Sequence, residues 1–195
     1  MAARDTADSR LPHLRGSVTA RVGRVVLSPA AATTIRDEAA RSDDGNETGG
    51  LLLGHIEPTG TAQVRYAGGP GPAAVRRPAF FLRDLHHAQR VAADAFARDR
   101  SMWIGEWHTH PRAAPTPSDQ DLRTYLGFLD DPELGLDAFI TIILTSRTGA
   151  WDRPEAHAWI CYRHAAEHVP LILAPHKHSA PADPNTPLPT TRTRP

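Results

Sequence analysis

The sequence predicts an α+β domain, a mixed β-sheet flanked by helices. Three observations predict it. Short apolar runs rich in β-formers recur, most clearly at residues 51–56 and 138–145. Between them lie segments with helical spacing of small and apolar residues, such as Leu85, Ala88, Val91, Ala92, Ala95 and Phe96. The two kinds of segment are interleaved without the regular alternation of a parallel βα array.

Residues 1–16 show no periodicity and are expected to be disordered. Residues 18–27 alternate loosely and are rich in Val, which predicts a strand. Ser28-Pro29 then starts a helix, because Ser caps a helix N-terminus and Pro suits its first turn. That helix should carry Ala31, Ile35 and Ala39 inward and end near Arg41. Residues 42–46 form a polar loop. The run 51–56 and the segment 62–66, joined by a Pro/Gly turn, predict a hairpin. Residues 68–78 read as a Gly/Pro loop, 82–100 as a helix, 102–110 as a strand and 111–117 as a Pro-rich loop. A helix over 118–129 and strands over 138–145, 156–162 and 169–173 complete the domain. Residues 175–195 are rich in Pro and Thr and are expected to be disordered. The domain should therefore occupy residues 17–174.

Composition narrows the function. Lys plus Arg and Asp plus Glu are 22 each, so no net charge recruits nucleic acid or an acidic membrane. No apolar run approaches the ~20 residues that span a bilayer, and the N-terminal segment lacks a signal peptide's apolar stretch, so a cytoplasmic protein is expected. The single cysteine, Cys161, excludes an internal disulfide and a Cys-rich zinc site. It is expected to be a small core residue. Any metal must be held by His and carboxylates.

The informative segment is Glu106-Trp107-His108-Thr109-His110-Pro111, followed by Ser118-Asp119-Gln120-Asp121. Side chains two apart on a strand share a face, about 6.5–7 Å apart along the chain, so His108 and His110 can converge on one ion. Asp121, in the first turn of the next helix, brings one carboxylate to two imidazoles. Three protein ligands leave a fourth tetrahedral position for water, the arrangement of a catalytic zinc site. Hydrolysis also needs a carboxylate to move protons and a donor for the oxyanion, and the Ser118 hydroxyl is suitably placed for the latter.

Together, Glu47, His108-Thr109-His110-Pro111 and Ser118-x-x-Asp121, with seven residues between His110 and Ser118, closely resemble the JAB/MPN/JAMM metalloprotease family. Gly49-Gly50-Leu51-Leu52-Leu53-Gly54 after Glu47 looks like that family's Glu-bearing strand. The segment beginning Gly105-Glu106-Trp107 looks most like its compact prokaryotic branch. The resemblance implies a cytidine-deaminase-like JAB/MPN fold, with Zn2+ held by His108, His110 and Asp121. It makes Glu47 the acid/base and Ser118 the oxyanion donor. The implied activity is hydrolysis of isopeptide or peptide bonds at the C-terminus of a ubiquitin-like protein. This would be deconjugation or precursor processing, beside E1-like and E2-like operon partners in antiphage defence or a mobile element. Two alternatives stand beside it: release of an amino acid from a sulfur-carrier protein in cysteine biosynthesis, and a non-catalytic MPN scaffold.

Other readings of the same residues compete. Ser118-x-x-Asp121 read locally is a helix cap, and Asp121 should not readily serve both cap and metal. Glu106 shares the face of His108 and competes with Glu47, either as acid/base or as a neighbour that orients a ligand. His176 and His178 repeat the His-x-His pattern in the tail without a carboxylate nearby. His86 and His87 should lie on a helix surface, and His164 and His168 should flank a turn. The four tryptophans are expected in the core or at its rim. A substrate tail would add as a strand beside the 51–56/62–66 hairpin and the 68–78 loop. Arg76 and Arg77 are expected to be solvated loop charges, with contacts to an acidic partner as the rival reading.

Overall fold

Eight strands form one sheet in the computed structural model, which describes residues 21–146, 151 and 154–175. The segments 1–16 and 176–195, with His176 and His178, lie outside the described residues, as do the first residues of the expected strand 18–27. β1 (Arg24–Leu27) leads into α1 (Pro29–Arg41), where the Ser28 hydroxyl accepts Ala31 N and Pro29 opens the first turn. Next come β2 (Gly49–Ile56), β3 (Thr61–Ala67), β4 (Val75–Arg77) and β5 (Phe80–Leu82). α2 (Leu85–Asp99) is capped by Asp84 and stopped by Arg100 in the left-handed region at φ 63°. β6 (Met102–His110), α3 (Asp119–Asp130), β7 (Phe139–Thr145), β8 (Glu155–Tyr162), β9 (Ala165–Val169) and β10 (Leu171–Leu173) follow.

The strand order is β10-β1-β3-β2-β6-β7-β8-β9, with β4 and β5 paired apart. The sheet is mixed: β1 runs parallel to β3 and β10, β6 parallel to β7, and the other pairs are antiparallel. β9 and β10 stand at opposite ends of this order yet are joined by Pro170 alone. The sheet must therefore curl until its edges nearly meet. Pro170 O accepts Val25 N at 2.9 Å and Tyr162 Oη accepts Val22 N at 2.9 Å across that seam.

The two faces are both covered. On one, Val25, Leu52, Val64, Ile104, Trp107, Ile142 and Ile160 pack with Ala31, Ile35 and Ala39 of α1. On the other, Leu51, Leu53, Trp103, Phe139 and Cys161 lie under α2 and α3. Each large apolar side chain fully buried in this way contributes about 1.5–3 kcal/mol. Burial also pushes the Cys161 thiol up to about 12, in keeping with an inert core residue.

Three expectations are corrected. The 68–78 loop contains β4, and Leu82 belongs to β5 rather than to the following helix, because three-residue strands are too short to show a period. The strand expected over 169–173 is β10 preceded by β9, separated at Pro170. The 51–56/62–66 hairpin has no free edge, since β1 and β6 flank it.

One irregularity positions the site. Leu52 pairs Gly105 and Leu53 pairs Trp103, so Ile104 is an extra residue on β6. Trp103 and Glu106, three apart, consequently share the α2/α3 side, and His108 and His110 follow Glu106 there. Among the described residues no helix is long and apolar enough to cross a membrane.

Candidate metal centre

β6 carries His108 and His110 to its C-terminal end between β2 and β7, where both are buried. Close strand approach is possible because Gly49 lies opposite His108. A Cβ there would meet Trp107 O at 2.3 Å and His108 Cβ at 2.9 Å. His108 Nε2 and His110 Nε2 lie 3.0 Å apart, and Asp121 Oδ2 lies 3.6 Å from the first and 3.5 Å from the second. Ligand atoms about 2.0–2.1 Å from a tetrahedral zinc are separated by about 3.3 Å. The three groups thus fit such an ion, and they are a cluster of His and carboxylate groups able to hold a metal.

The supporting shell is well defined at His110. Its Nδ1 lies 2.8 Å from Ala114 O, which can only accept, so Nδ1 carries the proton and Nε2 faces the cluster with a lone pair in the neutral ring. The Trp159 indole N–H donates to Pro115 O at 2.9 Å and fixes that same loop. Behind His108, the buried Tyr125 hydroxyl lies 3.5 Å from Nδ1 and 3.0 Å from Thr141 Oγ1, and burial keeps it a phenol.

Ser118 is the N-cap of α3 and forms a capping box with Asp121. Ser118 N and Ser118 Oγ donate to Asp121 Oδ2 at 2.8 and 2.7 Å, and Asp121 N donates to Ser118 Oγ at 3.1 Å. The expected conflict between cap and metal does not arise. The one oxygen that accepts the cap bonds also faces both imidazoles. Burial pushes the Asp121 carboxyl up, but the hydrogen bonds of His108 and His110, with that of Ser118, hold it far below the usual carboxylate range. Burial pushes His110 down, while Asp121 and the Ala114 carbonyl outweigh it and raise it.

Glu47 is half-buried and lines the same cleft. Thr48, next to it, is tied to β6 by Thr48 N to Thr109 Oγ1 at 2.9 Å and Thr109 N to Thr48 O at 2.8 Å. Burial raises the Glu47 carboxyl, opposed by the nearby His108 and His110. Glu106 is also buried in the cleft, but its carboxylate is engaged by the Arg83 guanidinium. Burial raises Glu106 and Arg83 pulls it back. Arg83 in turn lies over the rings of Trp103 and Phe128, at 5.4 and 5.7 Å.

The cleft has a volume of about 400 Å³. Phe80, Phe81 and Leu82 of β5 form one wall, and Thr124, Tyr125 and Phe128 of α3 form another. Arg76 is not a solvated loop charge. It bonds Asp44, Ser42 O and Glu47 O. Arg77 is exposed. Sequence reasoning missed Arg83, the Ala114 carbonyl and Tyr125. Only Tyr125 left a signal, since it lies four residues after Asp121 on the same helix face. His86 and His164 are exposed and His87 is partly so. His168, on β9, packs against Trp159 with ring centroids 5.1 Å apart.

The sequence model of the family described as "Prokaryotic homologs of the JAB domain" matches residues 29–171. The chain belongs to this JAB family. Its fold is the family's mixed sheet flanked by three helices, and the matched span holds every residue of the cluster. Two relatives are named CD-NTase/cGAS isopeptidase. One, from Escherichia coli (strain TW11681), is 36% identical over 83 residues, 41% of this chain and 52% of the relative. The other, from Pseudomonas aeruginosa (strain BWHPSA011 / Pa011), is 33% identical over 97 residues, 49% of this chain and 61% of the relative. The chain spans about half the length of the curated relatives it matches. The solution structure of a protein from Desulfitobacterium hafniense shares the fold, with a TM-score of 0.57 at 18% identity over 77% of this chain and 92% of that one.

Proposed function

We propose that this JAB-family chain is a zinc-dependent isopeptidase, acting on a conjugate made through the C-terminus of a ubiquitin-like protein. The carrying observation is the convergence of His108, His110 and Asp121 at 3.0–3.6 Å beside Glu47 in one cleft. A non-catalytic scaffold gives no reason for that complete set beside a half-buried carboxylate. The name shared by the relatives favours removal of a conjugate in a CD-NTase/cGAS setting over amino-acid release from a sulfur carrier.

His108, His110 and Asp121 would hold the zinc, which supplies Lewis acidity and lowers the pKa of a water to about 7. Glu47 takes the proton of the attacking water and passes it to the departing lysine amine. The Ser118 hydroxyl stabilises the oxyanion after turning away from Asp121, whose orientation the Ser118 backbone N–H still maintains. Among the described residues β5 has one strand partner, β4, so an extended substrate tail can pair with its other edge along the Phe80–Leu82 wall.

The test uses purified protein, elemental analysis for zinc and a panel of isopeptides. Each isopeptide joins a six-residue tail through its C-terminal carboxyl to the lysine side chain of a reporter peptide. About one zinc per chain and chelator-sensitive release of the reporter are expected. A zinc-loaded protein that cleaves no member of the panel, or cleavage that survives His108→Ala/His110→Ala, overturns the reading.

A further inference from the structure

Arg76 lies in β4, on the hairpin that forms the substrate wall, yet its guanidinium reaches away from the cleft. Nη1 and Nη2 bond both carboxylate oxygens of Asp44 at 3.0 and 2.9 Å, Nη2 bonds Ser42 O at 3.0 Å, and Nε bonds Glu47 O at 3.2 Å. The Arg76 side chain is 23% exposed, so water competes weakly for these bonds. Ser42 is the C-cap of α1, where free carbonyls and the helix dipole favour a cation. The adjacent residue adds a backbone bond, Glu47 N to Arg77 O at 2.9 Å. The backbone of Glu47 is thus held on both its N–H and its C=O by β4, while the next residue, Thr48, is held by β6.

We infer that Arg76 is a positioning residue that fixes Glu47 at the metal site from the substrate-bearing hairpin. The inference rests on the isopeptidase reading for its catalytic consequence, not for the clamp itself. A guanidinium is suited to the task because its rigid fork reaches acceptors on three residues at once, which a lysine ammonium cannot reproduce. Displacement of the β4–β5 hairpin would pull on the Glu47 backbone directly, so seating a tail against β5 and aligning the acid/base are mechanically one event.

The experiment compares Arg76→Ala, Arg76→Lys and Asp44→Asn with the wild type, all full-length and zinc-loaded. Amide exchange at Glu47 is measured with the Thr109 amide as internal reference. Arg76→Ala should speed exchange at Glu47 by about tenfold or more, with Arg76→Lys and Asp44→Asn intermediate and Thr109 unchanged. On the isopeptide panel kcat should fall by about 10- to 100-fold, zinc content should hold and KM should change less than kcat. Glu47 exchange within twofold of wild type overturns the inference, as does faster exchange with unchanged kcat. Should Arg76→Ala fail to fold, Asp44→Asn, on an exposed side chain that does not line the cleft, carries the same test. A zinc-loaded wild type that cleaves nothing overturns the isopeptidase reading instead, and the exchange rates still decide whether Arg76 holds Glu47.

Discussion

Ser118 and Asp121 hold each other at the start of α3, and the Asp121 Oδ2 that accepts both Ser118 donors also lies 3.5 Å from His110 Nε2 and 3.6 Å from His108 Nε2. Helix capping and the turning of Asp121 toward the two imidazoles are the same contact. Ser118→Ala removes the hydroxyl but leaves the backbone N–H on Asp121. It should cost about 0.5–2 kcal/mol of stability, seen as a lower Tm, while zinc is retained. Turnover should fall by about 10²–10³ if the hydroxyl serves the oxyanion. Unchanged turnover with a lowered Tm would reduce Ser118 to a cap.

Glu47 and Glu106 separate by their partners. Glu106 is committed to Arg83, whereas Glu47 faces the imidazoles. Glu47→Gln should keep the zinc and the fold and lose about 10²–10⁴ in turnover, because an amide cannot take the water's proton. Glu106→Gln should weaken the Arg83 contact, lower Tm and reduce turnover less. Zinc content, Tm and single-turnover rates on one isopeptide decide it. A zinc-bound but inactive Glu106→Gln beside an active Glu47→Gln would exchange the two roles.

The stability of the metal-free chain and the stability gained on adding zinc should change in opposite directions with pH. His110 is raised in the fold, so its contribution to stability is complete below the unfolded value of about 6.5 and is lost as pH rises through the folded value. Glu47 and Glu106 are raised as well, so their ionisation on going up in pH also weakens the fold. Asp121 is lowered, and its contribution is lost only in acid, below the unfolded value of about 3.9. With chelator, Tm should therefore decline from about pH 5 to pH 8. The gain in Tm on adding zinc should grow over that range, since binding needs neutral imidazoles. Thermal scans with and without chelator check both slopes, and a metal-free Tm that rises with pH would contradict the ion-pair account.

Gly49 tests the close approach of β2 to β6, the strand that carries His108 and His110. Gly49→Ala drives a Cβ into Trp107 O and His108 Cβ, and overpacking of this kind costs about 1–3 kcal/mol. Zinc affinity should fall with stability, because the strand moves where His108 is attached. Gly54→Ala, whose Cβ would meet Gln63 O at 1.8 Å near the other end of β2, should lower Tm and leave zinc affinity unchanged. Equal loss of zinc affinity in both variants would deny Gly49 its local role.

The sequence by itself determined the α+β class, the helix of Ser28-Pro29, the buried strand 138–145 and the meeting of His108, His110 and Asp121. These rest on short-range physics: a period of two or 3.6, a cap, a proline, and two residues sharing a strand face a few positions from a capped helix. Only the tertiary structure decided the rest. The extra residue Ile104 chose the face that carries Glu106. The joining of β9 to β10 through Pro170 curled the sheet, and the pairing of β1 and β6 left the 51–56/62–66 hairpin in its interior. Folding gave Glu106 to Arg83, the Ala114 carbonyl to His110, and the Glu47 backbone to Arg76. The last of these partners are 23, 4 and 29 residues apart in the chain. Such contacts have no periodicity to announce them, and two of them use a backbone oxygen that every residue possesses, so no pattern of side chains along the chain could have marked them.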